Sequence, residues 1–131
     1  MKTYVLDTNS LLRYLLDDIK EQAQETEKIL LSAQQGRVKV VITVIVIMEL
    51  VYALLKFYKW DRETVCENIK KLVCISLVEV EKREIVIEAL GIYETGNISF
   101  VDSLLIAESR QIGGQIFTFD KKLKMIAEKM R

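Results

Sequence analysis

Short apolar runs rich in β-branched residues alternate along the chain with longer stretches in which apolar residues recur at helical spacing. The short runs predict strands, which we place at residues 3–6, 38–42, 75–80 and 115–118. The longer stretches predict helices, which we place at residues 7–16, 19–35, 43–57, 63–73, 82–94, 99–112 and 120–129. Because strands alternate with helices and no hairpin signal separates them, the pattern predicts an α/β fold. Its sheet should be parallel, with helices on both faces.

The chain is expected to form one compact domain over residues 1–131. Half of its residues are hydrophobic, it contains no proline, and its five glycines are scattered without a linker or low-complexity tract. The longest uncharged stretch in its most apolar region, Val40–Met48, is far shorter than the roughly 20 residues that cross a bilayer. No signal peptide is visible at Met1–Leu6. We therefore expect a soluble, cytoplasmic protein with no membrane partner.

Three aspartates lie where predicted strands end or predicted helices begin. Asp7 directly follows the first strand, Asp120 lies just past the last strand, and Asp102 is in the first turn of the helix after Ser99. Ligands of open parallel sheets bind beyond the carboxyl ends of the strands, so a site is expected at these positions. Taken singly, each aspartate can also be a helix cap or a charge that complements the helix dipole.

Glu49 is the only charged residue in the apolar run 44–55. A helix that is apolar on nearly all sides is expected in a core or an interface, where an ionised carboxylate is costly unless it is paired or binds a cation. The other interpretations are a Lys or Arg partner and an exposed edge of the helix.

The four acids together favour a divalent cation. Carboxylates that converge on one cleft repel each other, by about 4 kcal/mol for a pair at ~4 Å in an effective dielectric near 20. The chain has no histidine, which removes the commonest zinc ligand and the usual general base near neutral pH. Mg²⁺ takes oxygen ligands and commonly binds one or two carboxylates, water and substrate phosphate, so a hard metal is the natural candidate.

The charge balance does not point to a nucleic-acid partner by itself. The 19 basic and 19 acidic residues give a formal net charge of zero, whereas a strongly basic surface is the usual sign of nucleic-acid binding. A local basic rim can still serve. Arg13, Lys121 and Lys122 are candidates for contacts with the phosphates of RNA, although each is equally well explained as a solvated surface charge.

Four ordered segments resemble the PIN-domain family, and most closely its VapC-like toxins of bacterial and archaeal toxin–antitoxin pairs. The resemblance covers the whole chain. The segments are Val5-Leu6-Asp7-Thr8-Asn9-Ser10-Leu11-Leu12-Arg13, Met48-Glu49-Leu50-Val51, Val101-Asp102-Ser103-Leu104-Leu105-Ile106-Ala107 and Thr118-Phe119-Asp120-Lys121-Lys122-Leu123. Ser103 replaces the alanine that is frequent in the family, and the proline often seen before the glutamate helix is missing.

The resemblance implies a three-layer α/β/α domain with a sheet of four or five parallel strands, and cleavage of RNA that depends on Mg²⁺ or Mn²⁺. It assigns metal binding to Asp7, Glu49 and Asp102, with Asp120 as a fourth, more variable acid. Asn9 and Thr118 match polar residues that steady these acids by hydrogen bonds. None of the departures touches the acidic set, so we expect an active enzyme.

Two alternatives stay open. One is a PIN-like module that holds RNA or a protein without cleaving it. The other is a phosphatase with Asp7 as the nucleophile, although its usual pattern has a second aspartate where Asn9 stands.

The family resemblance also implies a homodimer that binds a small antitoxin protein. The motivating feature of the sequence is an excess of apolar residues on two predicted helices, which a domain of this size has little interior to bury. These residues are Leu11, Leu12, Leu15 and Leu16 on the first helix and Tyr52, Leu55, Phe57, Tyr58 and Trp60 at the end of the third. The alternative is that they complete the core.

Overall fold

A computed structural model of the protein describes residues 1–130 and divides the chain into two compact units, Met1–Glu81 and Lys82–Arg131. Among the described residues, the first unit holds a sheet and four helices, and the second holds three helices. No helix in residues 1–130 is both long and apolar enough to cross a membrane.

The first unit is built on a parallel sheet with strand order β1-β2-β3. Tyr4 on β1 lies opposite Val40 on β2, and Ile42 on β2 lies opposite Val80 on β3. The elements are β1 Thr3–Val5, α1 Thr8–Leu16, α2 Lys20–Gln34, β2 Lys39–Ile42, α3 Val44–Lys56, α4 Arg62–Val73 and β3 Glu79–Val80. The predicted parallel α/β pattern is therefore confirmed in this unit.

The core of the first unit follows the two periodicities of its elements. On the central strand β2, Val40 and Ile42 are fully buried whereas Lys39 is exposed, as expected where alternate side chains point to opposite faces. The helices bury one stripe each, and their fully or nearly fully buried residues include Leu11, Leu30, Ile47, Leu50, Leu54, Val65, Ile69 and Leu72. Each such side chain contributes about 1.5–3 kcal/mol relative to an exposed position.

The start of α3 is held by residues from two other parts of the first unit. Thr43 is its N-cap, with Oγ1 accepting from the Val46 N–H at 3.4 Å. Glu81, just after β3, accepts from the Val44 N–H through Oε1 at 2.8 Å, and its own N–H donates to the Ile42 carbonyl at 2.9 Å. The end of the sheet thus anchors the helix that carries Glu49.

The second unit consists of α5 Arg83–Gly96, α6 Phe100–Ile112 and α7 Lys121–Lys129. The first two helices pack together through an edge-to-face contact of Tyr93 and Phe100, with ring centroids 5.7 Å apart. Arg110 links the three helices, since its Nε lies 2.7 Å from Oε2 of Glu88 and its Nη1 donates to the Met130 carbonyl.

The predicted count of four or five strands is wrong for residues 1–130, where the structure has three. The predicted strand at 115–118 is wrong, since this segment between α6 and α7 is irregular. Most of the predicted strand at 75–80 is a turn, in which Leu77 has a φ of 63°, and only Glu79–Val80 pairs with β2. A β-branched run became a strand only where a partner lay beside it.

Candidate active site

Asp7 is held at the carboxyl end of β1 by the helix that follows it. It is the N-cap of α1, and its Oδ1 accepts a hydrogen bond from the Ser10 N–H at 2.8 Å. The Ser10 hydroxyl donates in turn to the Asp7 carbonyl at 3.0 Å. The Asp7 side chain is exposed, so its second carboxylate oxygen faces solvent from a well-defined backbone position.

Glu49 on α3 is hydrogen-bonded to Thr8, the residue that follows Asp7. The Thr8 hydroxyl donates to Oε1 of Glu49 at 3.1 Å, although the two residues are 41 positions apart in the chain. Glu49 is exposed, and so are Ile45 and Tyr52 on the same helix. In the single chain Glu49 therefore lies on an exposed edge of its helix, which was one of the interpretations of the sequence. The expectation that this helix lies in an interface stays a prediction.

A groove of about 540 Å³ opens beside Asp7 within the first unit. Its walls come from the end of β1, the first turns of α1 and one face of α2, and they include Asn9, Arg13, Gln22 and Glu25. Asn9 makes no hydrogen bond to Asp7 or Glu49 among the contacts within residues 1–130, so Thr8 rather than Asn9 steadies an acid here.

Arg13 is already engaged by its surroundings. Its Nη1 lies 3.2 Å from Oδ2 of Asp18, its Nη2 donates to the Tyr58 hydroxyl at 3.1 Å, and only 11% of its side chain is exposed. The guanidinium therefore joins the loop after α1 to the segment that follows α3. It is not the solvated charge that the sequence suggested as the alternative to a phosphate contact.

Asp102 lies in the first turn of α6 in the second unit. Its N–H donates to Oγ of the N-cap residue Ser99 at 3.1 Å, and its side chain is half-buried. Ser103 is fully buried, and its hydroxyl donates to the Ser99 carbonyl at 2.9 Å. The extra hydroxyl at this position is thus satisfied inside the helix and costs little.

Asp120 is the N-cap of α7, with Oδ1 accepting from the Leu123 N–H at 3.1 Å. The Thr118 hydroxyl accepts from the Asp120 N–H at 3.0 Å, so Thr118 holds the backbone of this acid rather than its carboxylate. The next residue, Lys121, is exposed, whereas Lys122 donates to the Asn97 carbonyl at 2.7 Å.

The four acids belong to two different units, Asp7 and Glu49 to the first and Asp102 and Asp120 to the second. Within residues 1–130, no three carboxylate or thiol side chains stand close enough together to hold a metal ion. The four-acid metal site therefore stays a prediction. Sequence reasoning missed Thr8 as a partner of Glu49. The one sequence signal for this contact was the hydroxyl of Thr8, directly after the aspartate that follows the first strand.

Two comparisons with known proteins found similarity over nearly the whole chain. The family model described as PIN domain matches residues 4–129. A VapC ribonuclease of Aquifex aeolicus (strain VF5) is 29% identical over 126 residues, which are 95% of this chain and 93% of that protein. No solved structure gives a significant match.

Proposed function

Since this chain belongs to the PIN-domain family, we propose that it is a ribonuclease that hydrolyses phosphodiester bonds in RNA with Mg²⁺ or Mn²⁺ as its cofactor. The observation that carries the proposal is the similarity to a VapC ribonuclease over 95% of the chain. The position of Asp7 at the end of a parallel strand supports it, because ligands bind at that edge of such sheets.

The donor chemistry of the first unit fits a hard cation. Asp7 and Glu49 each use one carboxylate oxygen in a hydrogen bond, to Ser10 and Thr8 respectively, which leaves the other oxygen for a ligand. Mg²⁺ commonly uses one or two carboxylates and takes its other ligands from water and substrate phosphate. The chemistry that such a cation supplies is charge neutralisation at the scissile phosphate and activation of a water.

We assign proposed roles in this reaction to the candidate site residues. Asp7 and Asp102 would hold the cation directly and Glu49 and Asp120 would do so through water, while Thr8 fixes the orientation of the Glu49 carboxylate. Thr118 holds the backbone of Asp120, Asn9 lines the groove beside Asp7 without a bond to an acid in residues 1–130, and Lys121, Lys122 and Arg13 are the candidates for contacts with RNA phosphates. Lys121 is the best of the cations, because it is exposed whereas Arg13 is engaged by Asp18 and Tyr58.

We further propose that the protein is a cytoplasmic toxin that forms a homodimer and is inhibited by a small antitoxin. Leu11 and Leu12 are in the core and do not contribute to an interface. Exposed apolar side chains are instead found along α3 and just after it, at Ile45, Tyr52, Phe57 and Tyr58. Light scattering should find two chains of 15.2 kDa each, and a species of 15.2 kDa at all concentrations would exclude the dimer.

The second candidate function is a PIN-like module that binds RNA or protein without cleaving it. The observation in its favour is that neither unit by itself, within residues 1–130, brings three acids together to hold a metal ion. The two functions differ in one measurement, which is hydrolysis of RNA.

The test is incubation of the purified protein with single-stranded and structured RNA in Mg²⁺, in Mn²⁺ and in EDTA. We expect cleavage with either cation, no cleavage in EDTA, and none by an Asp7→Asn variant purified in the same way. RNA binding without hydrolysis in any of these conditions would favour the binding module. Cleavage that persists in EDTA or in Asp7→Asn would point to a contaminant.

A further inference from the structure

The groove beside Asp7 contains polar side chains that the proposed reaction does not use. Gln22 and Glu25 lie on one face of α2, three residues apart, and Asn9 faces the groove from α1. Tyr4, Leu6 and Ile29 add apolar surface to the lining. The groove therefore combines apolar surface with amide and carboxylate groups, next to a proposed cation-binding acid.

Two other polar side chains of the groove, Thr26 and Arg13, already have partners, although Nε of Arg13 has none within residues 1–130. The Thr26 hydroxyl lies at hydrogen-bond distance from the Ser10 and Gln22 carbonyls, at 3.3 Å and 3.0 Å. Arg13 is taken by Asp18 and Tyr58. By contrast, the side chains of Asn9, Gln22 and Glu25 make no hydrogen bond or ion pair with any residue in 1–130. These three are available to a ligand.

The charges of the groove select the kind of ligand. Asp7 and Glu25 are both acidic, and the guanidinium of Arg13 is compensated by Asp18. A phosphate would meet like charge here, whereas a neutral group with N–H donors would meet acceptors. In an RNA strand, the neutral group with N–H donors is the base, and an unpaired base can be read on its Watson–Crick edge.

We propose that this groove is the subsite for an unpaired guanine base next to the phosphate that is cut, with Glu25 as the residue that reads it. The inference rests on the proposed ribonuclease function. Guanine is favoured because its Watson–Crick edge presents two adjacent donors, N1–H and N2–H, which match the two oxygens of one carboxylate. The amides of Asn9 and Gln22 can each donate to its O6 or accept from N2–H.

The binding test uses nucleoside 5′-monophosphates as probes, in EDTA so that no cation is required. All four carry the same phosphate, so its repulsion by Asp7 and Glu25 is common to them and the differences between them report the base. We titrate GMP, AMP, CMP and UMP into ¹⁵N-labelled protein and follow the backbone amides of Asn9, Ser10 and Thr26, which surround the groove. GMP should shift these amides at lower concentration than the other three nucleotides. Glu25→Gln should weaken GMP binding by about ten-fold, because one charge-assisted hydrogen bond is lost.

Glu27→Gln is the matched control, since Glu27 is exposed on the same helix and does not line the groove. It should bind GMP as the unaltered protein does. Equal shifts by all four nucleotides, no saturable shift with GMP, or a Glu25→Gln variant with unchanged GMP affinity would each overturn the proposal.

A cleavage experiment separates this inference from the function on which it rests. Cuts in a mixed-sequence RNA should lie next to unpaired guanines, and Glu25→Gln should lose that preference. If RNA is cleaved with no preference for guanine, the subsite is wrong and the ribonuclease stands. If GMP binds as described but no RNA is cleaved, the ribonuclease is wrong and the groove remains a guanine site.

Discussion

Asp7 and Asp120 occupy the same local position in two different units of the molecule. Each is a helix N-cap whose carboxylate accepts from the N–H three residues later, at 2.8 Å and 3.1 Å. Asp7, however, follows a strand that is paired in a parallel sheet, and its neighbour Thr8 reaches Glu49. Asp120 follows an irregular segment in which Phe117 and Phe119 are 89% and 91% exposed and contact each other edge to face.

A helix cap and a paired strand constrain the position of an aspartate in different ways. A cap sets the direction of one carboxylate relative to its own helix, because the bond runs to a backbone group a few residues away. A paired strand sets the position of that carboxylate relative to the rest of its unit, because its backbone is held by the neighbouring strand. Asp7 has both constraints within its unit, whereas Asp120 has the cap and a local bond from its N–H to the Thr118 hydroxyl.

The largest expected effect is on the free energy of unfolding, and it tests how much side-chain packing stabilises each region. Leu50→Ala, at a fully buried position of α3, should cost about 2–5 kcal/mol of unfolding free energy through lost burial and a residual cavity. Phe119→Ala should change it by less than about 0.5 kcal/mol, because the ring is almost fully exposed. Urea unfolding measures both. A Phe119→Ala cost similar to that of Leu50→Ala would mean that the ring is buried in solution.

The next prediction compares the two capping acids in catalysis. Asp7→Asn should lower RNA cleavage by about 100-fold or more, since direct charge stabilisation by a bound cation contributes several kcal/mol. Asp120→Asn should cost about 10-fold, in line with an acid that acts through other groups. Asparagine is as good an N-cap as aspartate, so both variants should keep their melting temperature.

Asp61→Asn is the control for that comparison. Asp61 caps α4 in the same way, with the Thr64 N–H at 2.8 Å, and has no place in the proposed site. Its activity should be unchanged. A loss of activity in Asp61→Asn equal to that in Asp7→Asn would show that caps, and not a site, determine the rate.

Substitution of the two threonines beside the acids, Thr8 and Thr118, should have a smaller effect on the rate of RNA cleavage. Thr8→Val should lower cleavage by about 10-fold because Glu49 loses its hydrogen-bond donor. Thr8→Ser keeps the hydroxyl and should cleave RNA at the rate of the unaltered protein. Thr118→Val should have a smaller effect on the rate, because the Thr118 hydroxyl bonds to the backbone of Asp120. Rates at saturating RNA measure this difference. Equal losses in Thr8→Val and Thr118→Val would contradict the assignment of Thr8 to Glu49.

The smallest expected effect is the pH dependence of the stability that the Asp61 cap contributes. The hydroxyl and N–H of Thr64 lower the pKa of Asp61 below its ordinary value of 3.8, because both hydrogen bonds favour the charged form. The stabilisation is therefore complete above pH 3.8 and is lost as the pH falls through the lowered pKa of the folded state. The protein and Asp61→Asn should melt alike above pH 3.8, where asparagine and the charged aspartate cap equally well, and the protein should become the less stable of the two as the pH falls through the lowered pKa. A difference between them that does not change with pH would contradict the prediction.

Local chemistry in the sequence was enough to find most elements and the caps. Thr43, Ser99 and Asp120 were recognised as helix starts from their residue types and the apolar spacing that follows, and the structure has α3, α6 and α7 beginning directly after them. The family and the α/β class were also evident from the sequence, because four short segments stand in a characteristic order. These features depend on neighbours within a few positions.

Other features were decided by contacts between distant residues. Residues 75–78 have the composition of a strand but form a turn, and only Glu79–Val80 pairs with β2. The Glu49 carboxylate is exposed in a run that is otherwise apolar, and Arg13 is engaged by Asp18 and Tyr58. Composition cannot supply these outcomes, because a strand needs a second backbone to bond to and a charge needs a partner that the chain brings from elsewhere. The sequence alone determined the residue types and their local geometry, and the tertiary structure decided which of them meet.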